Sequence, residues 1–124
     1  MISPRVLLVE DDLFIREVFA EAMSKAAFVV ETAQNGEEAV TKIKQGGWDI
    51  VLMDNNLPHT KGSELVQQLK AEKDLVLPKH ILFLTNTTGD SETSKINAIS
   101  DGYLVKSDIT PKDLIDKVKK LLGL

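Results

Sequence analysis

Three short stretches of the chain, Val6-Leu7-Leu8-Val9, Ile50-Val51-Leu52-Met53 and Ile81-Leu82-Phe83-Leu84, are apolar at every position. Continuous rather than alternating apolar runs are the pattern of strands covered on both faces. Phe28-Val29-Val30 and Tyr103-Leu104-Val105 read as two further strands. The intervening segments follow a different period. Ile15, Val18, Phe19, Ala22, Met23 and Ala26 recur as one face of a helix, and Leu114, Ile115, Val118, Leu121 and Leu122 do the same near the end. Shorter helical faces lie at Ala39, Val40, Ile43 and at Leu65, Val66, Leu69. A fourth helix from about Asp90 to Ser100 offers only Ile96, Ala98 and Ile99 amid serines and threonines, so it is expected to be short or mobile. Asn35 with Glu38 reads as a capping box, and Thr110-Pro111 as a cap followed by proline at the first helical position.

Strands alternating with helices imply a parallel sheet with helices on both faces. Right-handed crossovers leave few layouts at this length. The expected fold is therefore α/β, a flavodoxin-like doubly wound five-stranded parallel sheet of order 2-1-3-4-5. In that order the first and third strands are neighbours, and the chain leaves their carboxyl ends in opposite directions, which opens a crevice. Glu10, Asp11 and Asp12 follow the first strand, Asp54 follows the third, Thr85 ends the fourth, and Lys106 ends the fifth. Clustered carboxylates repel unless a proton or a cation relieves them. Two carboxylates and a backbone carbonyl, completed by water, describe a magnesium site open to a phosphoryl oxygen. With the metal and Lys106 neutralising incoming charge, Asp54 is the residue expected to act as nucleophile and phosphoacceptor.

Composition narrows the setting. The 124 residues, 43% apolar and 27% charged, fit one compact domain over residues 1–124. A net charge of -4 and a pI near 5.1 argue against binding nucleic acid or an anionic membrane. The chain has no cysteine, which excludes disulfides and thiolate metal sites and suits a reducing compartment; a cytoplasmic location is expected. The pattern ends with the fifth helix, so no output domain is expected within the sequence.

"VLLVEDDLFIRE", "DIVLMDNNLPHTKG", "ILFLTN" and "GYLVKS" together resemble the receiver domains of two-component response regulators, in order and spacing, over essentially the whole chain. The resemblance implies an acidic pair at Glu10 and Asp11, with Arg16 five residues beyond Asp11 as the register mark and Asp12 left as a helix cap. It implies that Asp54 is phosphorylated, that Thr85 bonds the phosphoryl group, and that Lys106 is the lysine of the site. Magnesium would be bound by Glu10, Asp11, Asp54 and the backbone carbonyl of Asn56. Pro58 and Gly62 match the turn after the acceptor, and Tyr103 matches the aromatic switch residue. The donor would be a phosphohistidine on a sensor histidine kinase or a phosphotransfer protein. The output surface would be the fourth helix, fifth strand and fifth helix, with Lys112, Lys117, Lys119 and Lys120, docking a downstream protein. The protein would not be an enzyme in the ordinary sense, although it assists its own phosphorylation and dephosphorylation.

Two positions depart from the family pattern. Asn86 stands where a small residue is usual and is expected to narrow access to the phosphoryl group. Ser107 stands where proline is usual, so the Lys106–Ser107 bond is expected to be trans with a local rearrangement of the loop. These departures keep open a rival, a receiver-like binding module that no longer takes phosphate. A phosphatase of the haloacid dehalogenase type needs an acid two residues after the nucleophile, and Asn56 does not supply one. Trp48 reads as packing beside the third strand, and neither His59 nor His80 has the spacing of a metal site.

Overall fold

The computed structural model describes residues 3–86 and 89–124. Its strands are β1 (Arg5–Val9), β2 (Val29–Ala33), β3 (Ile50–Asp54), β4 (His80–Thr85) and β5 (Tyr103–Val105). They form one parallel sheet in the order β2-β1-β3-β4-β5. The helices are α1 (Leu13–Lys25), α2 (Gly36–Gln45), α3 (Gly62–Lys70), α4 (Asp90–Ile99) and α5 (Pro111–Leu122). The flavodoxin-like order and the helices on both faces agree with the reading of the sequence.

Alternation along each strand divides the apolar residues between two cores. Val6, Leu8, Ile50, Leu52, Leu82 and Leu84 pack with Phe19 and Met23 of α1 and with Leu114 and Val118 of α5. Leu7, Val9, Val51, Met53, Ile81 and Phe83 pack on the other face with α2, α3 and Ile96 of α4. Burying each such side chain contributes about 1.5–3 kcal/mol, which explains why the central strands are apolar at every position.

Asp12 Oδ1 accepts from the Ile15 N–H at 2.9 Å, as expected of a cap, and Asn35 Oδ1 accepts from the Glu38 N–H at 2.8 Å. The expected box at Asn35 is half formed, with the Glu38 carboxylate 3.5 Å from Lys42 Nζ. Thr110 and Asp113 bond reciprocally to each other's backbone N–H groups ahead of α5. Trp48 is buried, donates its indole N–H to the Lys42 carbonyl at 2.7 Å, and carries the Arg5 guanidinium over its ring.

Two expectations are corrected. The second strand starts at Val29, one residue later than Phe28, and continues to Ala33, because its pairing with β1 runs through Val9↔Ala33. The fourth helix is not short: it spans ten residues, as many as α2. Its apolar hold is as thin as its sequence implied, with Ile96 its one fully buried residue among those described, and polar contacts of its first turn supply the rest. The peptide bonds described include no cis bond, so Lys106–Ser107 is trans, and a 3-10 turn over Lys106–Asp108 follows β5.

The turn between β3 and α3 fixes the edge on which the polar residues gather. Asn56–Leu57 and Thr60–Lys61 form a small antiparallel ladder, with His59 at φ 66° between them. The chain then returns at Gly62, whose N–H donates to the Asn55 carbonyl at 3.1 Å. A Cβ at position 62 would overlap the Asp54 carbonyl oxygen and the Met53 side chain. Since backbone on the sheet side cannot move aside, Gly62→Ala is expected to lower unfolding free energy by about 1–3 kcal/mol in urea denaturation.

Candidate functional site

The parallel register brings Val9, Met53, Phe83 and Tyr103 level with one another across the sheet. The four strands therefore end on one edge within two residues of that line. Glu10 and Asp54 lie an even number of residues beyond Val6 and Ile50, so both share the α1/α5 side and converge. Both are fully buried. Lys106, just past β5, places its Nζ 2.8 Å from Glu10 Oε1 and 3.0 Å from Asp54 Oδ1, with little of its side chain exposed.

The carboxylates are held from more than one direction. Glu10 Oε2 accepts from the Asp12 N–H at 3.1 Å, and Asp54 Oδ1 accepts from the Asn56 N–H at 2.8 Å. Arg16 donates from α1 to the carbonyls of Glu10 at 2.9 Å and Asp11 at 3.3 Å, which ties down the corner after β1. Asp54 Oδ2 is buried and has no hydrogen-bond partner among the described residues. That oxygen is the open acceptor of the site.

Electrostatics follow from burial. Withdrawal from water pushes the Glu10 carboxyl up from 4.5 to about 7; Lys106 pulls it down without cancelling the effect, and Asp54 adds to the rise. Burial also works against the Lys106 charge, but the facing Glu10 and Asp54 outweigh it and hold the ammonium above its ordinary value. One lysine thus faces more carboxylate charge than it neutralises.

A cation fits that surplus. Glu10, Asp11 and Asp54 each present a carboxylate oxygen within 4.8 Å of the other two. Magnesium prefers oxygen donors at 2.0–2.1 Å, so opposite ligands stand about 4.2 Å apart. The oxygen-only donor set, the partnerless Asp54 Oδ2 and the exposed Asp11 at the rim are compatible with such an ion.

The remaining expected residues lie along the same edge. Thr85 is fully buried at the end of β4, paired in register with Val105, next to Lys106. Asn86 is exposed, its N–H 3.5 Å from Asn56 Oδ1, at the limit of a hydrogen bond. Asn56 and Pro58 are exposed at the mouth. Tyr103 is half-buried against the core on the α2–α4 side. His59 lines an open groove of about 670 Å³ with Asp11 and Thr60, and His80 pairs with Asp101 at 3.3 Å.

Three residues were not singled out from the sequence. Asn55 and Ser63 are buried, and both donate to Glu92 Oε1 in the first turn of α4, at 3.0 and 2.6 Å. An amide directly after a strand buried on both faces was the available signal. Its partners, 8 and 37 residues away, were not.

The sheet order and the acid-lysine edge define a CheY-like signalling domain. The model of the response regulator receiver domain matches residues 6–119, and the chain belongs to that family. The chain is 29% identical to the chemotaxis protein CheY of Halobacterium salinarum, covering 97% of this chain and 98% of that protein. It is also 29% identical to the phosphate regulon transcriptional regulatory protein PhoB of Pseudomonas aeruginosa, covering 98% of this chain and 53% of PhoB. The chain spans about half the length of PhoB and of ResD of Bacillus subtilis, 48% in the latter. Among solved structures, the CheY-like receiver domain protein of Methanospirillum hungatei superposes with a TM-score of 0.85 at 26% identity, covering 98% of this chain and 95% of that one. TrrA of Thermotoga maritima, solved with Mg(2+)-BeF, superposes at 0.79 with 34% identity, covering 95% and 98%. The chain is therefore a receiver domain of a two-component system, a signalling switch rather than a classical enzyme.

The raised Glu10 value has a sign that can be measured with divalent ions chelated. Below pH 4.5 the folded and unfolded states both hold this proton. Between 4.5 and about 7 only the folded state does, so stability falls across that window and levels off above it. Urea midpoints measured from pH 4.5 to 8 should show this decline, and Glu10→Gln should flatten it.

Proposed function

We propose that Asp54 accepts a phosphoryl group from a phosphohistidine on a sensor histidine kinase or a phosphotransfer protein, and that this changes the protein-docking surface formed by α4, β5 and α5. The observation that carries the reading is the Asp54 carboxylate. One of its oxygens is committed to Lys106 and the Asn56 N–H; the other is buried without a hydrogen-bond partner among the described residues. A carboxylate so fixed has lost the rotational freedom that slows attack in water.

Magnesium, held by Glu10, Asp11, Asp54 and the Asn56 carbonyl, supplies charge neutralisation for the incoming phosphoryl oxygens when bound. In transfer, a bond forms from an Asp54 oxygen to phosphorus and the phosphorus–nitrogen bond of the donor breaks, its electron pair staying on the imidazole. Lys106 stabilises the charge gathered at Asp54, and Thr85 bonds a phosphoryl oxygen. Tyr103 takes up the space Thr85 leaves. The result is a shift between two pre-existing states rather than a new fold. Lys112, Lys119 and Lys120 are exposed on α5 and Lys117 is half-buried, with Lys112 paired to Asp116 at 3.0 Å. No helix among the described residues is long and apolar enough to cross a membrane.

Incubation with magnesium and acetyl phosphate or a cognate kinase should add the mass of one phosphoryl group. The gain should disappear in Asp54→Asn and with magnesium chelated. An unlabelled wild-type protein would leave a docking module that takes no phosphate. In the same assay Asn86→Ala should label several-fold faster with acetyl phosphate, since the amide at the mouth is removed; an unchanged rate would withdraw the role assigned to Asn86.

A further inference from the structure

The first turn of α4 is held unlike that of α1, α2 or α5. Its N-cap, Gly89, offers no side-chain hydrogen bond, and its sequence, Asp90-Ser91-Glu92-Thr93-Ser94, has no apolar residue to bury. Ile96 anchors the middle of the helix, but nothing apolar anchors its start.

Glu92 fills that role. Its Oε1 accepts from Ser63 Oγ at 2.6 Å and from Asn55 Nδ2 at 3.0 Å, and Oε2 lies 3.5 Å from Lys61 Nζ. Ser63 and Asn55 hold the carboxyl below its ordinary range, with a smaller contribution from Lys61, so both bonds are made to a charged acceptor and are correspondingly strong. Lys61 is half exposed, and its pairing adds little.

What Glu92 grips is joined to the acceptor. Asn55 follows Asp54 directly, and strand alternation sends the two side chains to opposite faces of the sheet. The Asn55 N–H donates to the Leu84 carbonyl at 3.0 Å, its Oδ1 accepts from the Ser63 N–H at 2.9 Å, and its carbonyl accepts from the Gly62 N–H. Among the described residues the start of α4 is therefore tied to the site by a path from Glu92 through Asn55 to the backbone of Asp54. A displacement of α4 away from the sheet edge works against that tie.

We propose that Glu92 is a positioning residue for the switch: by tying the first turn of α4 to Asn55 and Ser63 it holds that helix in the resting position and opposes the phosphorylated state. The proposal rests on the reading of Asp54 as acceptor and goes beyond it, since it assigns the restraint on the output helix to named side chains. Removing a restraint specific to the resting state favours the other state, and by linkage any ligand of that state then binds more tightly.

The test uses the whole chain with beryllofluoride and magnesium as an unreactive stand-in for the phosphoryl group. In Glu92→Ala the α4 amides should exchange hydrogen about tenfold faster while those of β1 and β3 do not change, and beryllofluoride should bind about five- to tenfold more tightly. Glu92→Gln keeps an acceptor oxygen for Asn55 and Ser63 without its charge and should fall between the wild type and Glu92→Ala in both measurements. Unchanged α4 exchange would overturn the proposal, as would faster exchange throughout β1 and β3, which would make Glu92 a contributor to global stability only. Wild-type protein that binds no beryllofluoride overturns the Asp54 reading itself, whereas wild-type binding with no gain in Glu92→Ala overturns the role of Glu92 alone.

Discussion

Two carboxylates, from Glu10 and Asp54, are withdrawn from water and share the single ammonium of Lys106. Taking such charges into a protein is costly, and mutual attraction compensates only when the geometry is close and the remaining oxygens are bonded. Backbone N–H groups of Asp12 and Asn56 supply that bonding for two of the four oxygens. The arrangement still carries excess negative charge, visible in the raised Glu10 value and in the uncommitted Asp54 Oδ2. A site built this way is rigid in its resting form and retains the capacity to take up positive charge.

The scaffold makes that rigidity possible. Because β1, β3 and β4 are apolar on both faces, their positions are fixed by two separate cores, one under α1 and α5 and the other under α2, α3 and α4. Parallel register aligns their carboxyl ends, and the chain turns polar as soon as it leaves the sheet. The alternation that lets a strand serve two cores also divides Asp54 from Asn55. One meets Lys106 on the first side; the next meets Ser63 and Glu92 on the second. A single strand end thus communicates with both layers of helices.

The helices around the sheet are not equally committed. α5 has a reciprocal cap, proline at its start, a left-handed Gly123 at its end, and Leu114 and Val118 fully buried. α4 has an uncapped start, one fully buried side chain and a carboxylate clasp. Structural change is least costly where apolar burial is least, since polar bonds exchange for water more cheaply than a packed core opens. On these grounds α4 is held less by apolar burial than α5 is.

Much of this was legible from the order of residues. Apolar burial is a local requirement with a period, so Val6 to Val9, Ile50 to Met53 and Ile81 to Leu84 announced strands, and strand count and crossover handedness gave the sheet order. That order placed Glu10, Asp11, Asp54, Thr85 and Lys106 on one edge before any distance was known. The extent of β2 was not legible, since Glu31 and Thr32 enter the sheet through pairing with β1, whereas α4 was placed to within one residue although what holds its first turn was not. Nor was the meeting of Asn55, Ser63 and Glu92, because a hydrogen bond between side chains 37 residues apart has no period and leaves no local signature. The pattern of burial along the chain is enough to bring the acids and the lysine to one edge; which oxygens Lys106 engages and which side chains meet Glu92 follow from distances of a few ångströms that packing sets.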